Sequence, residues 1–241
     1  MLNITDTHIH LQDFNHDFAL ELLSLATIKN LILVSANCND FEKISNLYKT
    51  SPQKITPSFG YHPWEALKPY SLELLKTYLT SHPSSLIGEI GLDGIKTPPS
   101  LEQHKLFSSQ LSLAKILKRP VIIHGAKANP ELYKYRLELS SIKYVYHSFP
   151  ANLELLKFLI STEAYIGLGS SFINSPKAQT LISYLPKDKI LFETDAPYQT
   201  KQETYLSTCQ SNLIILSKLL NISPDNLEQT LSNNFKEFIK C

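Results

Sequence analysis

The chain has 241 residues, 43% of them hydrophobic and 19% charged, and a formal net charge of +1 from 23 Lys+Arg and 22 Asp+Glu. That composition excludes a disordered segment, and the length suits one barrel-sized domain with a sizeable core. A net charge so near zero excludes a broad basic face for nucleic acid, so any polyanion has to be gripped locally.

In chain order, a first apolar run, Ile4–His10, precedes a stretch of helical period, Asp17–Lys29. The pairing repeats as Leu31–Asn37 with Phe41–Thr50, Ile55–Tyr61 with Ser71–Ser81, and Leu86–Leu92 with Leu101–Lys118. Val121–Gly125 and Tyr144–Phe149 follow, then helical Asn152–Ser161, the run Ala164–Ser170, helical Pro176–Leu185 and a last run, Ile190–Thr194. Tyr205–Leu220 and Asp225–Ile239 read as helices only and are expected to close an outer ring. Alternating strands and helices build parallel sheets, whose strands are covered on both faces and read as continuous apolar runs. Eight such units predict an α/β fold, a single (β/α)8 TIM barrel with extra C-terminal helices spanning residues 1–241 as one domain. No G-x-G-x-x-G turn supports a dinucleotide fold, and neither a G-x-S-x-G elbow nor a P-loop is present.

The opening MLNITDTHIH has no basic region followed by an apolar run, and no stretch approaches the roughly 20 apolar residues of a membrane span. Cys38, Cys209 and Cys241 form no CxxC pair, which points to a reducing compartment and to inert packing or surface roles for the thiols. A cytoplasmic location, no membrane association and no obligate protein partner are the expectations.

Ionisable residues interrupt the apolar runs at their C-terminal ends, which in a barrel form the active-site face. His8 and His10 end the first strand two residues apart, so their side chains share a side. Asp6 shares that face and is a candidate hydrogen-bond partner for one of the rings. Glu89, within IGEIGLD, is an acid in a run where burial without a partner is costly. Asp93 follows it on the same face, with turn or cap duty equally open. His124 ends PVIIH, His147 ends KYVYH, and Asp195 lies in ILFETDAPY. Each residue alone reads as readily as a strand-end or cap residue. Together, four imidazoles and two carboxylates at five strand ends form a nitrogen and oxygen ligand set suited to zinc, manganese or magnesium. His62 and Trp64, in GYHPW, sit beside that mouth. His62 is open between a substrate oxygen contact and a loop role, and Trp64 between a substrate platform and a partly buried loop anchor.

The set TDTHIH, GYHPW, IGEIGLD, PVIIH, YHSF and ETDAPY, in this order, resembles the TatD family of metal-dependent hydrolases. The resemblance implies two divalent ions, with His8, His10 and Asp195 holding one, His124 and His147 the other, and Glu89 bridging. It further implies hydrolysis by a two-metal-activated water, with Asp195 and Glu89 catalytic, and phosphodiester chemistry of the 3′→5′ exodeoxyribonuclease type, with DNA as substrate. Some relatives in the family act as aminoacyl-tRNA deacylases, so an amide, lactone or acyl ester is the alternative bond, and a barrel without activity the remaining one. The chain departs from the family pattern around the substrate. Trp64 stands where a second His is common, and Lys127 lies one position from a usual Arg after His124. His147-Ser148-Phe149-Pro150-Ala151 replaces HxFxG, and Gln199–Glu203 replaces a loop carrying Arg and Asn. His62, Trp64 and Lys127 are the candidate substrate contacts, with Tyr61 and Tyr198 as further stacking surfaces.

Overall fold

The computed structural model describes residues 1–95 and 97–240. Eight strands, β1 (Ile4–Ile9), β2 (Ile28–Val34), β3 (Ile55–Phe59), β4 (Leu86–Gly91), β5 (Val121–His124), β6 (Tyr144–Tyr146), β7 (Tyr165–Leu168) and β8 (Ile190–Phe192), pair in sequence order. Every pairing is parallel. The sheet closes where His10 N donates to Ala196 O at 2.8 Å and Asp195 N donates to His8 O at 2.9 Å, which carries the last strand end onto the first. This is the (β/α)8 barrel that the alternation predicts.

The covering helices are α1 (His16–Ser24), α2 (Cys38–Thr50), α3 (Leu72–Ser81), α4 (Leu101–Leu117), α5 (Asn129–Tyr133), α6 (Arg136–Leu139), α7 (Leu153–Ser161), α8 (Ser170–Ile173), α9 (Ala178–Leu181), α10 (Tyr205–Leu219) and α11 (Pro224–Ile239). Polar caps set several of their starts. The Asn15, Ser71, Ser100, Asn152 and Ser223 side chains each accept a backbone N–H of the first turn. Asn37 and Asp40 form a capping box at α2. That box explains why β2 lies three residues earlier than its apolar run suggests, because Asn37 serves the helix. The stretch Pro176–Leu185 resolves into α9 and a 3-10 turn, and the short α5 and α6 were not visible as periodicity.

The final helix does not join the outer ring. Phe235 and Phe238 of α11 pack with Ile32, Leu86, Ile122, Val145, Tyr165 and Leu191, contributed by six of the strands. Asn234 Nδ2 donates to Ile190 O, at the start of β8, and Lys143, just before β6, donates to Glu237 O. Both contacts lie at N-terminal strand ends, so α11 forms the floor of the barrel, opposite the mouth at the C-terminal strand ends. Its aromatic residues have an apolar lumen to fill, which explains the placement. Among the described residues no helix is long and apolar enough to cross a membrane. Cys38 is half-buried and Cys209 buried, both as free thiols, while Cys241 lies outside the described residues.

Candidate active site

Strand alternation places both first-strand imidazoles at the mouth, with their Nε2 atoms 3.3 Å apart. Asp195 follows β8 in a left-handed conformation, φ 50°. Its Oδ1 lies 3.6 Å from His8 Nε2 and 3.5 Å from His10 Nε2. Glu89 reaches the same pair through Oε2, at 3.5 and 3.9 Å. Its other oxygen, Oε1, lies 2.7 Å from His124 Nδ1 and 3.1 Å from His147 Nε2. One carboxylate thus stands between two pairs of imidazoles, and the six candidate ligands converge in one place.

Gly91 makes that convergence possible between β4 and β5. Its φ is +152°, and a Cβ there would lie 1.9 Å from the His124 carbonyl oxygen. Any larger residue would drive apart the strand ends that carry Glu89 and His124.

The donor chemistry fits divalent cations. Nitrogen and oxygen ligands about 2.0–2.2 Å from a common ion lie roughly 3.0–3.5 Å from one another. His8, His10 and Asp195 match that spacing, at 3.3, 3.5 and 3.6 Å. Burial would push the Glu89 carboxyl up, but the charges of His147, His8 and His124 hold it well below the usual carboxylate range. At Asp195 burial is likewise outweighed, by the His10 hydrogen bond and the charges of His147 and His8, and the carboxyl stands at about 2. Both acids are therefore available as anionic ligands at neutral pH.

A cavity of about 310 Å³ opens over these groups, walled by His62, Trp64, Asn37, Glu65 and Tyr198 among others. His62 is buried, and its ring lies 4.4 Å from that of His124. Its Nδ1 accepts the Trp64 backbone N–H at 3.2 Å, so a neutral His62 carries its proton on Nε2. Burial and the neighbouring His124 charge depress this imidazole to about 3, which keeps it neutral. Trp64 is 56% exposed, with its ring 4.8 Å from that of His62, and Tyr198 is 66% exposed. Tyr61 is buried, and its hydroxyl donates to Ser71 O, so it presents no stacking face. Lys127 is exposed on the loop after β5 and does not line the cavity.

Two acids behave differently from their sequence reading. Asp6 does not touch an imidazole. It accepts from the His8 and Thr194 backbone N–H groups and from the Thr194 and Tyr205 hydroxyls. The side chain therefore ties β1 to the end of β8 and to α10. Burial pushes its carboxyl up to about 7, against the pull of those hydrogen bonds. Asp93 takes the turn role and adds a contact that the sequence did not suggest. Oδ1 accepts Ile95 N in a turn, and Oδ2 lies 2.8 Å from His124 Nε2. A third acid, Glu193, was missed altogether. It is buried beside His147, and the only signal for it was its position at the end of an apolar strand.

A model of the family described as "TatD related DNase" matches residues 5–240. The chain is 26% identical to human "Deoxyribonuclease TATDN3", over 99% of this chain and 96% of that protein. It is 32% identical over 164 residues to human "3'-5' RNA nuclease TATDN2", a match covering 64% of this chain and 21% of that one. Among solved structures, the TatD homologue YjjV of Escherichia coli superposes with a TM-score of 0.83 at 27% identity, covering 98% of this chain and 97% of the other.

Proposed function

The chain belongs to the TatD-related DNase family, and on that premise we propose that it is a divalent-metal-dependent phosphodiesterase acting on nucleic acid, a deoxyribonuclease of the 3′→5′ exonuclease type. The observation that carries this reading is the convergence of four imidazoles and two anionic carboxylates beneath one open cavity. The nuclease names of relatives aligned along the chain support the substrate class.

His8, His10 and Asp195 would hold one ion and His124 and His147 the other, with Glu89 placed between the two pairs of imidazoles. Zinc or manganese suits four imidazoles best, and magnesium is the oxygen-preferring alternative. When bound, divalent cations supply Lewis acidity and a nucleophile active at neutral pH. Asp195 accepts the proton of the attacking water, as an ionised carboxylate facing the cavity. Its Oδ2 accepts from Gln199 Nε2 at 2.8 Å, which holds the carboxylate in place. His62 donates its Nε2–H to a substrate oxygen, since its Nδ1 is taken by the Trp64 backbone N–H. Trp64 and Tyr198 stack on a base at a strand end, which needs no broad basic surface. Free thiols at Cys38 and Cys209 suit a reducing compartment, and the reading includes a cytoplasmic location.

A second reading rests on one specific observation. No lysine or arginine is among the described residues lining the cavity. That favours a less anionic scissile group, such as an amide, a lactone or the acyl ester of a charged tRNA.

The test is cleavage of a 5′-labelled single-stranded oligodeoxynucleotide by chelator-stripped protein with Mg²⁺, Mn²⁺ or Zn²⁺ restored. A metal-dependent ladder, lost in Glu89→Ala and Asp195→Asn, is the expected result. Tight cation uptake without cleavage under any ion would move the assignment to the acyl and amide substrates.

A further inference from the structure

We propose that Glu193, which lies outside the six candidate ligands, is a positioning residue that fixes the tautomer of His147. This rests on the metal reading above.

Glu193 directly follows β8 and is 1% exposed. His147 is the side chain it pairs with among the described residues, its Oε1 lying 3.5 Å from His147 Nδ1. The same oxygen accepts the backbone N–H of Ser148, the residue after His147. Glu193 thus grips the ring and the main chain of one strand end together. Two atoms in this corner are buried with no hydrogen bond of their own, His147 Nδ1 and Glu193 Oε2. The room for the carboxylate comes from Gly167 on β7, where a Cβ would lie 2.2 Å from Oε2.

The chemistry follows from the imidazole. A neutral ring has one N–H and one lone pair, and the partner of one nitrogen decides the state of the other. His147 turns Nε2 towards Glu89 Oε1, at 3.1 Å, so that is the nitrogen that must offer a lone pair to an ion. Its proton then sits on Nδ1, facing Glu193. A buried carboxylate is costly without charge or donors around it; the Ser148 N–H supplies one donor, and the proposed tautomer turns the Nδ1–H of His147 towards the same oxygen, 3.5 Å away. His124 has a counterpart in Asp93, whose Oδ2 lies 2.8 Å from Nε2, but the two first-strand rings have no such carboxylate. His8 Nδ1 has no partner, and His10 Nδ1 faces only the Gln12 amide, at 3.5 Å.

The decisive experiment combines two measurements. Long-range ¹H–¹⁵N spectra of the histidines in zinc-loaded wild-type protein report which nitrogen of His147 carries the proton. Calorimetric titration of Mn²⁺ into chelator-stripped wild type, Glu193→Gln and Glu193→Ala reports affinity without any substrate. We expect His147 to be protonated at Nδ1. We expect Glu193→Ala to weaken one bound ion roughly 10–100-fold, and Glu193→Gln, which keeps an oxygen acceptor at the Oε1 position, to weaken it less. A His147 proton on Nε2, or wild-type affinity in Glu193→Ala, would overturn the assignment. Should Glu193→Ala fail to fold, Glu193→Gln decides, and wild-type affinity with an unchanged His147 spectrum in that variant would overturn the assignment. A wild type that takes up no cation would overturn the metal reading and this assignment with it. Uptake with the proton on Nε2 would overturn this assignment only.

Discussion

Glu89 and Asp195 reach the same two imidazoles from different strand ends, and Glu89 alone extends to the other two. Their roles are separable by substitution. Glu89→Ala removes the carboxylate that reaches both pairs of imidazoles, and on the proposed reading it should abolish cation-dependent turnover. Asp195→Asn keeps the shape but removes the proton acceptor of the proposed mechanism, and kcat should fall roughly 10²–10⁴-fold. Steady-state rates on a labelled oligonucleotide check both. Trp64 stands apart from the chemistry. Loss of a stacking surface is worth about 1–3 kcal/mol per base, so Trp64→Ala should raise KM roughly 5–150-fold while leaving kcat nearly unchanged. An unchanged KM would remove Trp64 from the substrate site. The six candidate ligands were legible because each is an ionisable residue within or at the end of an apolar run. Glu193 was not, because strand alternation would put it on the same side as Asp195. The left-handed φ of Asp195 breaks that alternation, and the two acids serve different imidazoles.

At the scale of elements, β1 and β8 meet through Asp6. Four donors converge on its carboxylate, from His8, Thr194 and Tyr205. Removing it leaves buried donors unpaired at about 1–3 kcal/mol each. Asp6→Ala should therefore lower stability by several kcal/mol in denaturant unfolding and loosen the His8–Asp195 pair. A change below about 0.5 kcal/mol, the level of an ordinary surface substitution, would contradict this role. Between β4 and β5 the same logic applies to a glycine. Gly91→Ala sets a methyl against the His124 carbonyl oxygen, and a thermal melt should show marked destabilisation or failure to fold. The strand order could be read from the alternation of apolar runs and helical periods, since each parallel strand is covered on both faces. Less visible were elements too short for a period, such as α5 and α6, and the exact end of β2, which depends on the Asn37–Asp40 cap.

For the whole molecule, the barrel separates its two ends. The mouth carries the ionisable residues, and the floor is sealed by the aromatic side chains of α11. Periodicity showed α11 as a helix, but its destination depended on the size of the lumen, which no local pattern encodes. A cation that binds the folded chain and not the unfolded one stabilises it by about 2.7 kcal/mol at a hundred times its Kd. For a chain of this size that raises Tm by about 5–10 °C. Addition of Mn²⁺ to chelator-stripped protein should produce such a shift, and Glu89→Ala should lose most of it. The most direct test of the central claim is an anomalous difference map from crystals grown with Mn²⁺. The account predicts two peaks on either side of Glu89, one beside His8, His10 and Asp195 and one beside His124 and His147. A map without peaks there, or with manganese bound only elsewhere, would contradict it.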